Sequence, residues 1–227
     1  MRVELVQAAS WRTAAYAART CYNSHDKATK ETDFQLLLNC IKKGHDSVLE
    51  HIHMTWVLEM TRSTSHQLVR HRMASISQQS QRYVQIDTQG DWFNLLDSLL
   101  DDTAAHHVLK NIGNFYKDKL EEGIKPEDAR ELLPNCTKTV MVFTCNMRSF
   151  RNIVKLRTSR HAQEPIRDLV NGMMAELPEE LITLATAKDA KDELLSTIAE
   201  THWFTFSDTE LLEFTEQISK KARKILE

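Results

Sequence analysis

The sequence predicts an α+β fold, mostly helical with a small antiparallel or mixed β-sheet, as a single domain over residues 1–227. The chain is 41% hydrophobic, which is enough to bury one core at this length. Residues 52–60 alternate between apolar and polar side chains, and residues 137–145 are rich in threonine, valine and phenylalanine, so both predict strands. Most other segments begin or end at residues that are typical of helix termini.

The N-terminal region is expected to form one strand and two helices. Residues 1–6 alternate as a half-buried strand does, and Ser10 can cap the helix that follows. A second helix is predicted from Thr32, as its N-cap, to Lys43, with Gly44 closing the last turn.

The rest of the chain is expected to alternate between helices, loops and two strands. The predicted order is a helix over 63–72, a polar loop, a strand near 83–86, helical structure over 91–123 with a break near 101–103, a helix from 126 to 134, and the strand over 137–145. The remainder is expected to be mostly helical and to end in a helix that Ser207 caps, with Glu210 behind it.

The composition argues against several classes of protein. The net charge of -3 gives no global positive field of the kind that non-specific nucleic-acid binders carry. The five glycines never cluster, which excludes a P-loop and a dinucleotide fingerprint. The four cysteines lie far apart and are expected to be reduced thiols. No segment resembles a signal peptide or a bilayer span, which predicts a cytoplasmic protein without a membrane partner.

The segment over 67–83 carries the first candidate site. On the predicted helix, Gln67, Arg70 and His71 share one face, while Arg72 turns to another side. Polar residues follow in the predicted loop, namely Ser75, Ser77, Gln78, Gln79, Ser80 and Arg82. Arginine forks match phosphate oxygens, and glutamine or serine can read the imide edge of uracil. The alternative is a solvated charged helix followed by a flexible loop.

The segment over 146–163 carries the second candidate site. Asn146 and Arg148 fall at a predicted strand-to-helix junction, where helix amides and the helix dipole favour an anion. Arg148 and Asn152 are predicted i, i+4 neighbours, as are Arg157 and His161. The alternative is a basic surface helix that pairs with acidic neighbours.

Two alternative functions remain open on the residues alone. The His-Asp pairs at 25–26 and 45–46 form the skeleton of a metal-dependent phosphohydrolase, but His51 and His53 share no helix face and no further acidic ligand has suitable spacing, so we expect no metal site. A nucleic-acid-binding module would contact the nucleic acid through the basic residues at 70–72. The near-neutral charge and the lack of an aromatic stacking platform disfavour that module, so no nucleic-acid partner is expected.

Four motifs, in order over about residues 17–165, resemble those of the flavin-dependent thymidylate synthases. Residues 70–80 match the RHR-x7-S signature of that family. GHDSVLEH at 44–51 resembles its GH-x5-H segment. ARELLP at 129–134 and the stretch from NMRSF to LRTSRHAQ at 146–163 resemble its two C-terminal blocks. Ser47 and Glu50, inside the second motif, have the spacing of a capping box that could turn amide groups toward an anion.

The resemblance implies sites for FAD and dUMP. The implied FAD contacts are Ser47, Arg70, His71, Arg72, Gln78, Asn146, Arg148 and Asn152. The implied dUMP contacts are Gln67, Arg70, Gln78, Gln79, Ser80, Gln81, Arg82, Arg130 for the phosphate and Arg157 at the uracil ring. His45 is implied to lie near the flavin and the folate. Gln78 stands where some family members carry glutamate, so a neutral amide replaces a charged contact there.

The resemblance further implies methylation of dUMP to dTMP, with 5,10-methylenetetrahydrofolate as carbon donor and NADPH as reductant through bound FAD. Uracil C5 is a poor nucleophile until the ring gains electron density, and the implied catalytic residue, Arg157, would stabilise an ionised uracil N3. No cysteine lies in the arginine-rich segments, so a thiolate route is not expected, and Ser80 is expected to hydrogen-bond the substrate. The sites are implied to be shared between the subunits of a homotetramer.

Overall fold

The structure, a computed structural model, describes residues 1–201 and 206–226. The strands are β1 (Arg2–Ala8), β2 (His53–Thr61), β3 (Ala74–Gln78) and β4 (Lys138–Asn146). They form one antiparallel sheet in the order β1-β2-β4-β3. Both central strands, β2 and β4, were predicted from their sequence patterns, and the small antiparallel sheet is confirmed.

Most of the described residues outside the sheet are helical, which confirms the predicted fold class. The α-helices are α1 (Arg12–Thr20), α2 (Lys30–Lys42), α3 (Arg62–Leu68), α4 (Asp97–Leu100), α5 (Thr103–Glu121), α6 (Pro126–Ala129), α7 (Met147–Arg157), α8 (Glu164–Ala175), α9 (Glu179–Thr186), α10 (Ala190–Glu200) and α11 (Asp208–Leu226). Short 3-10 turns lie at His25–Lys27, Asp46–His51 and Arg130–Leu132. No helix among the described residues has both the length and the apolar character needed to cross a membrane.

The chain divides into two compact units. The first unit comprises Met1–Ala8 and His53–Pro178, and the second comprises Ala9–Ile52 and Glu179–Glu227. That residues 1–227 form one thymidylate synthase domain stays a prediction.

The sheet and the helices α7 and α8 form the core of the first unit. Trp56 of β2 lies opposite Phe143 of β4, and both side chains are fully buried. Phe150 of α7 packs on Trp56 with ring centroids 5.0 Å apart. Helix α8 approaches β1 so closely that a Cβ atom at Gly172 would lie 3.2 Å from Val3 Cγ2. These contacts fix α7 and α8 on the sheet, and the position of α7 decides where its terminal polar residues lie.

A buried ion pair joins the first two helices of the second unit. Arg19 of α1 donates from Nε to Asp33 Oδ1 of α2 at 2.8 Å, and its side chain is only 8% exposed. The same guanidinium donates to Thr32 Oγ1 and to the Ser24 carbonyl oxygen. Because the charge of Arg19 is paired and hydrogen-bonded, the cost of burying it is offset.

The predicted N-caps of α1 and α2 are displaced by one and by three residues. Helix α1 has Trp11 as its N-cap, and Ser10 Oγ accepts from the Arg12 N–H at 3.3 Å. Helix α2 begins earlier than predicted because Thr29 is its N-cap and Thr32 is the third residue of the reciprocal capping box. Gly44 has the expected positive φ, +72°, just beyond the end of the helix.

Four predictions between residues 62 and 96 are wrong. The helix predicted over 63–72 ends at Leu68, and part of the predicted polar loop is strand β3. The strand predicted near 83–86 is irregular, since the Tyr83 and Val84 amides both donate to the Ser80 carbonyl oxygen in a turn. The helix predicted over residues 91–96 is not formed. These residues are irregular and exchange backbone hydrogen bonds with the segment 136–138, at the start of β4.

The predicted caps later in the chain are confirmed. Pro126 opens α6, which passes into a 3-10 turn and ends before Pro134. Ser207 and Glu210 form a reciprocal cap, with the Ser207 N–H donating to Glu210 Oε2 at 2.8 Å and the Glu210 N–H donating to Ser207 Oγ. Proline and the capping box act within a few residues, so neighbouring packing does not override them.

Candidate functional site

Arg157 brings the two sequence-predicted segments together. It is the last residue of α7, and its Nε donates to His71 Nε2 at 3.0 Å. Its Nη2 donates to the Gln67 carbonyl oxygen at 3.2 Å. The partners lie 86 and 90 residues away in the chain, and all three residues are half-buried. The two segments therefore meet within one chain at Arg157, His71 and Gln67, and we call these three residues and Gln163 the Arg157 cluster.

The hydrogen bond from Arg157 fixes the protonation state of His71. Because Nε2 accepts this bond, the proton of the neutral ring lies on Nδ1. Burial, and secondarily the charge of Arg157, lowers the pKa of His71 below its ordinary value. The ring is therefore neutral at pH 7, and acidification would remove the acceptor.

The residues between Gln67 and Arg72 do not share a helix face as predicted. Because α3 ends at Leu68, Arg70 lies in the turn that follows and His71 and Arg72 lie in an irregular stretch. Arg70 and Arg72 are exposed, and neither pairs with a carboxylate in the described part of the chain. Gln67 is held from the other side, because its Nε2 donates to Gln163 Oε1 at 2.8 Å.

The junction of β4 and α7 lies where the sequence predicted it. Asn146 is the N-cap of α7, and its Oδ1 accepts from the Ser149 N–H at 2.9 Å. Arg148 and Asn152 are exposed and stand one turn apart on α7. His161 does not continue this row, because the helix ends at Arg157.

Hydrogen bonds hold the end of β3 and the loop that follows it. Gln78 donates from Nε2 to Ser65 Oγ at 3.0 Å and to Thr139 Oγ1 at 3.2 Å, which ties the strand end to α3 and β4. Ser80 Oγ accepts from the Arg82 N–H at 3.2 Å. Gln79 donates its backbone N–H to the Val140 carbonyl oxygen. Gln81 Nε2 is buried and has no hydrogen-bond partner within the described residues.

A second cluster of cations surrounds Glu127, and we call it the Arg130 cluster. Arg82 donates from Nε and Nη2 to Glu127 Oε2 at 3.0 and 2.9 Å. Arg130 donates from Nε to the backbone oxygen of Glu127 at 3.1 Å. Hydrogen bonding and charge from Arg82 lower the pKa of Glu127. Half-buried Arg62 completes the cluster; burial, and then the charge of Arg130, lowers its pKa.

Arg62 was missed by reasoning from the sequence. It is the first residue of α3, where the helix dipole disfavours a cation. An arginine at the start of a helix, where a cation is disfavoured, was the sequence signal that could have identified this residue. In the described part of the chain, Arg62 and Arg130 form no ion pair with a carboxylate, so two adjacent guanidinium groups lack an anion of their own.

His45 and Ser47 belong to the second unit. The Gly44 and His45 amides donate back to the Ile41 and Cys40 carbonyl oxygens, which closes α2 and leaves the His45 side chain exposed. Ser47 is exposed inside the following 3-10 turn, whose N-cap is His45. The predicted capping role of Ser47 is therefore wrong, because the N-cap of this turn is His45, two residues earlier.

The metal phosphohydrolase alternative is not supported. His25 contacts Thr20 Oγ1 at 3.2 Å and packs on the Tyr16 ring. Over residues 1–201 and 206–226, no group of three or more histidine, cysteine, aspartate or glutamate side chains is placed to hold a metal ion.

The four cysteines are free thiols, as predicted. Burial raises the pKa of Cys145 to about 12, and burial also raises the pKa values of Cys40 and Cys136. A raised pKa keeps a thiol protonated, so these three side chains are poor nucleophiles at neutral pH.

The chain matches one family model and several named relatives in sequence. The family model described as "Thymidylate synthase complementing protein" matches residues 4–181. The flavin-dependent thymidylate synthase of Clostridium tetani is 34% identical over 191 residues, covering 73% of this chain and 77% of that relative. The enzyme of the same name from Pyrococcus furiosus is 36% identical over 141 residues, which cover 59% of this chain but only 58% of that relative.

Solved structures of similar fold carry related names. Thymidylate synthase X from Helicobacter pylori, solved with FAD and dUMP, has a TM-score of 0.74 and 24% identity, covering 82% of this chain and 98% of that one, and it supports the fold alone. The UMP/dUMP methylase PolB from Streptomyces cacaoi, solved with 5-Br dUMP, has a TM-score of 0.72 and 26% identity, covering 82% of this chain and 95% of that one.

The His71 ring provides a test of this geometry. In an NMR titration of the histidine ring protons, we expect the pKa of His71 to lie below the ordinary value for a histidine side chain. In Arg157→Met the pKa of His71 should rise but stay below the ordinary value, because the charge is removed and the burial remains. An unchanged or further lowered pKa in that variant would show that Arg157 does not contact the ring.

Proposed function

Because this chain belongs to the thymidylate synthase complementing protein family, we propose that it methylates dUMP to dTMP with FAD as its bound cofactor. The family resemblance predicted from the motifs is confirmed. The observation that carries the proposal is the pair of hydrogen bonds from Arg157 to His71 and to the Gln67 carbonyl oxygen, because they unite the two motif segments.

The residues around α7 and the RHR segment fit FAD. Its pyrophosphate is an anion, and the chain lacks a glycine-rich loop to hold it. Arg70 and Arg72 are exposed cations, and Asn146 and Arg148 stand at the N-terminus of α7, where the helix dipole favours an anion. Asn152 lies one turn after Arg148 on the same helix. We assign these residues, with His71 and Ser47, to FAD. The bound flavin would supply the redox chemistry, with NADPH as reductant and 5,10-methylenetetrahydrofolate as carbon donor.

The Arg130 cluster fits the phosphate of dUMP. Arg62 and Arg130 repel each other without a bound anion, and a phosphate dianion would neutralise both. Residues 78–82 would surround the nucleotide, and the unpartnered buried Nε2 of Gln81 is a donor that a substrate or a second subunit would satisfy. Gln78 itself is engaged with Ser65 and Thr139, so its part in either site is to position the loop.

Arg157 would act on the uracil ring. A guanidinium group has five N–H donors, and two of them serve His71 and Gln67, so the remainder are available to the substrate. A fixed cation at uracil N3 and its neighbouring carbonyl oxygen stabilises the negative charge that raises electron density at C5. The neutral ring of His71 holds the guanidinium in place without competing for its charge.

The site would be completed by a second subunit. In the described residues, no hydrogen bond or ion pair joins the Arg157 cluster to the Arg130 cluster. The nucleotide needs both, since one holds the base and the other the phosphate. We therefore propose a homotetramer in which the residues at 78–82 of one subunit complete the flavin pocket of its neighbour, with His45 near the flavin and folate.

The activity is tested with purified protein. We expect it to be yellow, to release FAD on denaturation, to oxidise NADPH faster when dUMP is added, and to form dTMP from dUMP and methylenetetrahydrofolate. Absorption spectroscopy measures the colour, the released FAD and the oxidation of NADPH. Chromatography of the products measures the dTMP. Protein that stays colourless after incubation with FAD and forms no dTMP would overturn the proposal.

Arg62 provides a test of the phosphate site. We expect Arg62→Met to raise the KM for dUMP by about tenfold, since a hydrogen bond to a charged group contributes roughly 1.5–3 kcal/mol. Inhibition by deoxyuridine, which has no phosphate, should be unchanged. The control is Lys110→Met, which removes an exposed cation from α5. Equal weakening of deoxyuridine and dUMP would place Arg62 outside the phosphate site.

A further inference from the structure

A lysine-rich groove of about 1200 Å³ lies within the second unit, between the end of α2 and the helices α10 and α11. Its lysines are Lys42, Lys43, Lys188, Lys191, Lys221 and Lys224. Two acidic residues, Asp189 and Glu193, also line it. The whole chain has a net charge of -3, so this concentration of positive charge is local.

Most of the groove's positive charge is not neutralised by the protein. Of the six lysines, only Lys188 has a side-chain partner in the described part of the chain, and that partner is the neutral Ser196 Oγ at 3.0 Å. The carboxylate of Asp189 is engaged as the N-cap of α10, where it accepts from the Asp192 N–H.

Stabilisation of helix ends explains only part of this arrangement. Lys42, Lys43 and Lys224 lie at the C-terminal ends of α2 and α11, where the helix dipole favours cations. Lys188 and Lys191 flank the N-terminus of α10, where the dipole disfavours them. An anionic ligand would interact favourably with both lysines and with that helix terminus.

We propose that this groove binds the oligoglutamate tail of the folate co-substrate. The inference rests on the proposed function, because His45, assigned above to the neighbourhood of the folate, lines the same groove. Each γ-linked glutamate adds one carboxylate, so a tail of several residues offers carboxylates to several of the lysines that line the groove. Helices α10 and α11 lie beyond residue 181, where the family match ends, so the groove uses a part of this chain that the match does not cover.

The test compares the FAD-loaded full chain with monoglutamyl and pentaglutamyl tetrahydrofolate by isothermal titration calorimetry. We expect the pentaglutamate to bind about tenfold more tightly at low salt, because several individually weak exposed ion pairs add together. The difference should shrink at high salt, as screening of exposed charges requires. Lys221→Glu/Lys224→Glu should abolish the difference and leave monoglutamate binding unchanged.

The matched control is Lys220→Glu/Arg223→Glu. It makes the same change of charge at the same spacing on the same helix, but neither residue lines the groove. This control should keep the preference for the pentaglutamate. Equal affinities in the unaltered protein, equal loss in the control, or tighter binding of a single-stranded oligonucleotide would each overturn the inference.

Formation of dTMP from the monoglutamate separates this inference from the proposed function. Normal dTMP formation without a preference for tail length would defeat the groove inference alone. A preference for tail length in protein that forms no dTMP would defeat the proposed function alone.

Discussion

The hydrogen bonds of Arg157 determine what the first unit can do. This guanidinium lies at the end of α7, and α7 is fixed because Phe150 packs on Trp56 in the core. Through it, a helix end reaches a turn 86 residues away and holds a neutral imidazole there. If the helix were displaced, the cation would lose both partners and the RHR segment would lose this link to α7. The chemistry of the site therefore depends on the packing of one aromatic pair beneath it.

The distribution of charge follows from the lack of glycine-rich loops. A chain with a slightly negative net charge and five scattered glycines has to bind anions by local clusters of side chains and by helix ends. Three such places occur in the described structure. The Arg157 cluster and the start of α7 suit a flavin and a pyrimidine, the Arg130 cluster suits a phosphate, and the lysine groove suits a flexible polyanion. In the Arg130 cluster and in the lysine groove, the cations outnumber the carboxylates that lie among them.

The sequence predicted those parts of the fold and of the site whose signals lie within a few neighbouring residues. Alternation along residues 52–60 predicted β2. The strand-to-helix junction predicted at Asn146 is where α7 begins. Strand β3 could not be found, because Ile76 is its only large apolar residue and it exists through pairing with β4. The early end of α3 was hidden for a similar reason, since Arg157 from a distant segment donates to the Gln67 carbonyl oxygen near that end. The motifs predicted candidate site residues, but the contact between Arg157 and His71 depends on tertiary packing, which the sequence does not show.

The central claim is that Arg157 stabilises negative charge on the uracil ring, and the ionisation of bound dUMP tests it most directly. Ultraviolet difference titration of dUMP on the FAD-loaded protein should give an N3 pKa below that of free dUMP. Arg157→Ala should keep its FAD, bind dUMP at higher concentration and return the N3 pKa to or above the value in solution. Arg160→Ala, which removes an exposed cation from the turn after α7, should keep the lowered value. An N3 pKa that is the same in the unaltered protein and in Arg157→Ala would contradict the account.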